Sequence, residues 1–104
     1  MLLDEAERAG MSIAVPVGPL AQVWRGGPRQ TNLARFINSA ALVTIVEWDT
    51  PSAMAVGVLC GRTGVADVVD ASVVLVARER NHAVVTSDPQ ELAALDPLLP
   101  LVVV

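Results

Sequence analysis

Short apolar runs of strand length alternate along the chain with stretches whose apolar residues recur every three or four positions. Residues 11–16, 42–46, 83–86 and 101–104 are dense in Val, Ile, Leu and Ala, and each is short enough for a buried strand. Helical spacing fills the intervals. A helix over residues 2–9 closes at Gly10, a short one over 19–25 stops at Gly26-Gly27, and Pro28 launches a longer one reaching residue 40, with Leu33, Phe36 and Ile37 on one face. Thr50 as cap and Pro51 as first residue predict a helix to about Arg62, another begins near Ala66 and breaks at Asn81-His82, and Pro89 opens the last. Strands alternating with helices argue for a parallel α/β sheet in a single domain spanning residues 1–104.

The stretch from Gly64 to Leu95 holds the chemistry. Asp67 and Asp70 stand three residues apart at a helix start, so both project from one side of its first turn. Asp88 follows the strand over 83–86 and precedes Pro89. Helix N-termini and the carboxyl ends of parallel strands meet at one edge of an α/β sheet, where such folds keep their sites. Asp67, Asp70 and Asp88 can therefore converge, and three carboxylates suit a hard divalent cation. A purely structural role fits the same residues. Asp67 and Asp70 favour the positive end of a helix dipole, and Asp88-Pro-Gln-Glu91 has the form of a capping box. The two roles are compatible.

Composition narrows the classes. A net charge of -4 argues against a general nucleic-acid-coating surface, and all seven basic residues are Arg. The apolar fraction of 53% is high for 104 residues, which fits a Val/Ala-rich core together with apolar surface kept for a partner. The single cysteine, Cys60, excludes an intramolecular disulfide and a multi-cysteine zinc site. Charged residues interrupt every apolar run before membrane-spanning length, and the acidic start is unlike a signal peptide, so a cytoplasmic protein with no membrane partner is expected.

Thr63-Gly64, Asp67-Val-Val-Asp70-Ala71, Val85-Thr86-Ser87-Asp88-Pro89 and Leu92 together resemble the C-terminal half of a PIN domain. More narrowly, they resemble the VapC-type ribonuclease toxins of bacterial toxin–antitoxin pairs. The similarity continues upstream through Val15-Pro16 and Ala21-Gln22-Val23-Trp24-Arg25-Gly26-Gly27. It implies a three-layer α/β/α fold and an endoribonuclease that cleaves RNA with Mg²⁺ or Mn²⁺. The implied partners are an antitoxin protein and a second copy in a homodimer. Asp67, Asp70 and Asp88 take the roles of metal ligands and catalytic acids.

Two departures accompany the resemblance. Nothing matches the family's central first strand with its metal-binding Asp, and Asp4, on the helix over 2–9, is no substitute. Gln22 stands where the family carries a Glu. Both departures predict weak metal binding and favour, as the alternative, a non-catalytic PIN-like module that dimerises or binds an antitoxin. Without the first strand, those over 11–15 and 83–86 are expected to close up directly or to recruit a strand from a second copy. Gln22 and Arg25 are assigned to substrate binding, with Thr86 and Ser87 able to hydrogen-bond a carboxylate or phosphate. Strand-end turn hydroxyls are the favoured account of Thr86 and Ser87. Arg25, Arg29 and Arg35 form an acid-free stretch suited to an RNA backbone or an acidic segment, or to a solvated helix face. His82 reads as structural, and Trp24 as partly exposed.

Overall fold

The computed structural model describes residues 13–24, 26–28, 30–38 and 43–104. The helix expected over 2–9, Asp4, Arg25, Arg29 and the boundaries expected at residues 11, 40 and 42 lie outside the described residues. The chain is mixed α/β and divides into two compact units, Met1–Glu47 and Trp48–Val104. Each contains its own small parallel sheet.

In the first unit, β1 (Ile13–Pro16) pairs with β2 (Val43–Val46) from Ile13↔Val43 to Pro16↔Val46. Pro16 ends β1 and caps α1 (Val17–Val23), its φ of -65° and ψ of 147° being the extended geometry of a helix entrance. The helix begins two residues before Pro19, the start expected from the sequence, because the chain turns directly out of the strand. Trp24 closes it, donating its backbone N–H to the Leu20 carbonyl at 3.0 Å. Gly26 and Gly27 both take positive φ, 75° and 86°, which only glycine adopts without strain. They redirect the chain into α2 (Gln30–Ile37), whose start lies two residues beyond Pro28.

The second unit is built around three helices. Asp49, and not Thr50, caps α3 (Thr50–Thr63), accepting the Ser52 N–H on Oδ1 at 2.8 Å. The Ser52 side chain first, and then this backbone bond, hold the Asp49 carboxyl below its usual range. Gly64, left-handed at φ 73°, ends the helix by donating to the Cys60 carbonyl. α4 (Val68–Arg80) ends at Asn81, also left-handed, at φ 56°. His82 donates its backbone N–H to the Ala77 carbonyl at 2.8 Å, completing the helix termination in which Asn81 and His82 were expected to take part. β3 (Val84–Thr86) runs parallel to β4 (Leu101–Val103), and α5 (Pro89–Leu95) connects them. In both sheets the two strands are the whole sheet among the described residues.

The core of this unit is Val56, Leu59, Ala71, Val74, Ala77, Leu92, Leu95 and Leu99. Ala71 and Val74 are wholly inaccessible. Small side chains at these positions let α4 approach its neighbours closely, and Leu92 and Leu95 close the gap from α5. Arg78 Nε meets Asp96 Oδ2 at 2.9 Å and ties the end of α4 to the end of α5. The guanidinium is 45% exposed, so the ion pair is worth at most about 1 kcal/mol. Among the described residues no helix is long and apolar enough to cross a membrane.

Leu92 is 4% exposed and bridges α5 to the core, so Leu92→Ala should destabilise the protein by about 2–4 kcal/mol. Urea unfolding followed by circular dichroism measures this directly. A loss below about 1 kcal/mol would mean that α5 contributes little to the packing described here.

Candidate metal centre

Two of the three acids singled out in the sequence meet, and a fourth replaces the third. One carboxylate oxygen from each of Asp67, Asp70 and Glu91 lies within 4.8 Å of the others. Asp67 is the cap of α4, where its Oδ1 accepts the backbone N–H groups of Val69 and Asp70, each at 3.0 Å. Asp67 therefore performs the capping role and also belongs to the cluster. Its orientation is fixed by the helix it starts, so at least one carboxylate is positioned before any ligand arrives.

Helix periodicity explains the meeting. Asp67, Ala71 and Val74 are spaced i, i+4, i+7, and so are Asp70, Val74 and Ala77, so both acids head the buried stripe of α4. Glu91 precedes the buried Leu95 by four residues and sits at the same end of the core-facing side of α5. Packing the two helices through Val74, Ala77, Leu92 and Leu95 brings their N-terminal acids together.

Electrostatics record the crowding. The Asp70 carboxyl is pushed up to about 6, first because it is withdrawn from water, then by the negative charge of Asp67 and by a hydrogen bond to Glu91. The crowding opposes ionisation of Asp70. A divalent cation would relieve the same repulsion. The donor set, oxygen only and formally trianionic, fits Mg²⁺ or Mn²⁺ and gives no soft ligand to zinc.

Asp88 stands outside this group. It precedes α5 at φ -124°, is exposed, and its side chain makes no cap bond, so the capping box read from Asp88 and Glu91 does not form. Its backbone N–H instead donates to Thr86 Oγ1 at 3.0 Å. Thr86 thus serves as a strand-end turn hydroxyl, and Ser87 beside it is exposed. Gln22 is exposed on α1 in the first unit, and Arg25 lies outside the described residues. The residue missed by sequence reasoning is Glu91, and its signal was the i, i+4 spacing to Leu95.

Comparison with protein-family models, with curated proteins and with solved structures finds no match.

The raised Asp70 value fixes the sign of one pH effect. A carboxyl whose folded value exceeds its unfolded one favours the folded state below pH 4, and that contribution is lost as pH rises to about 6. Without metal, Asp70→Asn should stabilise the protein at pH 7.5 by about 1 kcal/mol, after allowance for solvent screening, and leave stability at pH 4 nearly unchanged. Thermal unfolding of both proteins across this range gives the comparison. Equal destabilisation at both pH values would contradict the carboxylate crowding.

Proposed function

We propose that this protein is a PIN-like, VapC-type endoribonuclease that hydrolyses RNA phosphodiester bonds with the help of Mg²⁺ or Mn²⁺ held by Asp67, Asp70 and Glu91. The observation that carries the reading is the convergence of these three carboxylates at the head of one helix pair. Asp67 and Asp70 are also acids of the resemblance carried by Asp67-Val-Val-Asp70-Ala71, whereas Asp88 is outside the cluster. The proposal includes the three-layer α/β/α architecture of that family.

When bound, the cation supplies activation of water and neutralisation of charge on the phosphate being attacked. The residues have distinct tasks. Asp67, anchored by two backbone donors, gives a fixed oxygen ligand. Asp70 gives the second and must release its proton for the cation to enter, which couples loading to pH. Glu91 gives the third from a separate helix. Asp88, just beyond β3, is close to this group in sequence and is assigned to the approach of substrate, with Thr86 and Ser87 at the same strand end.

A second reading has its own support. Gln22 is neutral where the family carries an acid, and α3 exposes Met54 and Val58 on a helix with no charge between Thr50 and Gly61. These features favour a non-catalytic PIN-like module that forms a homodimer or receives an antitoxin.

Calorimetric titration with Mn²⁺, paired with a cleavage assay on single-stranded RNA, separates the readings. Binding should strengthen as pH rises from 5 to 7 because Asp70 loses its proton, and Asp70→Asn and Glu91→Gln should each abolish both binding and cleavage. Asp88→Asn should retain Mn²⁺ binding. No heat of binding in the parent protein, with unchanged self-association in Asp70→Asn, would establish the non-catalytic module.

A further inference from the structure

The first unit carries an open concavity of about 580 Å³, lined by Trp24, Gln30, Thr31, Ala34, Arg35 and Asn38. Four of these residues lie on α2 at positions 30, 31, 34 and 35 and Asn38 directly follows it, so one helix face forms the floor, and Trp24 closes one side after α1. Trp24 is 47% exposed, a large aromatic surface that the fold leaves in contact with water.

Charge is distributed unevenly along the chain. Between residues 8 and 46 there is no Asp or Glu, and four of the seven arginines fall in this stretch. All the concavity's lining residues belong to it. A chain of net charge -4 therefore holds an acid-free segment in which Arg35 lines the same concavity as an exposed indole. This is the pairing that single-stranded nucleic acid requires: a flat ring for a base and a cation for the phosphate.

The amides add selectivity for a base over a simple anion. Gln30 Oε1 accepts the Gly26 N–H at 2.9 Å, while Gln30 Nε2 is buried with no hydrogen-bond partner. A buried donor without an acceptor is unusual in a folded protein. Gln30 and Asn38, each about one turn from Ala34 and so about two turns from one another, offer amide donors and acceptors of the kind that match base edges. An acidic peptide would use Arg35 and leave the ring and both amides unexplained.

We propose that this concavity is a binding subsite for one nucleotide of single-stranded RNA, with the base against Trp24, the phosphate at Arg35 and the amides of Gln30 and Asn38 facing the base edge. It rests on the RNA reading above only for the choice of RNA, since it needs neither the carboxylate cluster nor a cation.

The test is fluorescence anisotropy of a labelled single-stranded oligouridine of about eight nucleotides, titrated with the full chain in EDTA. Binding should weaken about tenfold in Trp24→Ala, be largely kept in Trp24→Phe, which preserves a stacking ring, and weaken with salt and in Arg35→Ala. In a Trp48→Phe background the remaining Trp24 emission should quench as RNA is added. Equal RNA affinity in the parent and Trp24→Ala proteins, no binding in EDTA, or quenching by oligoglutamate in place of RNA would each overturn the subsite. RNA bound through Trp24 but never cut with Mn²⁺ would refute the nuclease reading and leave the subsite standing. Cleavage that is indifferent to Trp24 would do the reverse.

Discussion

The second unit depends on how closely α4 can be approached. Ala71 and Val74 have no solvent-accessible surface, and Ala77 has almost none. Larger residues there would hold α3 and α5 away, and every contact that orders the first turn of α5 would loosen. Because the two buried stripes begin with acids, close packing forces carboxylates together as a geometric consequence. The apolar energy gained by Val74, Leu92 and Leu95, about 1.5–3 kcal/mol for each side chain, exceeds the repulsion it creates at Asp70. The cluster is held together by its hydrophobic foundation, against its own charge.

That relation explains what could be read from the sequence. Asp67 and Asp70 were legible because capping and helical spacing are local: a carboxylate before an apolar run, and another three residues later. Asn81 and Pro89 marked helix ends for the same reason, each fixing a backbone angle within its own turn. Glu91 was obscured by a competing local pattern. Asp88-Pro-Gln-Glu91 has the form of a capping box, which assigns Glu91 to its own helix, whereas the structure leaves that box unformed and turns Glu91 toward α4. The outcome depends on which face of α5 is buried, a tertiary fact that the position of Leu95 reveals only once packing is considered.

Helix starts show the same division. Asp49 displaces Thr50 as the cap of α3 because its carboxylate reaches the Ser52 N–H, and both residues are credible caps by type. In α2 the start slips from Pro28 to Gln30, because two successive left-handed glycines require extra chain to complete the turn. Parallel pairing between strands separated by helices was legible, and β1 with β2 and β3 with β4 obey that rule, but the strands form two sheets where one was expected. The extent of each sheet depends on contacts distant in sequence, for which an apolar run carries no address.

Charge divides along the chain as well. The acids of the chain gather after residue 46, apart from three near its start, whereas four arginines lie between residues 8 and 46 without a single acid among them. A polyanion would be repelled by Asp67, Asp70 and Glu91 unless a cation neutralises them, and attracted by the arginine-bearing stretch whether or not a cation is present. Attraction of a polyanion to the arginine-bearing stretch and loading of the carboxylate cluster with a cation would then be separable events with different dependences. The first would respond to salt, and the second to pH and divalent metal, because a proton and a cation would compete for the raised Asp70 carboxyl.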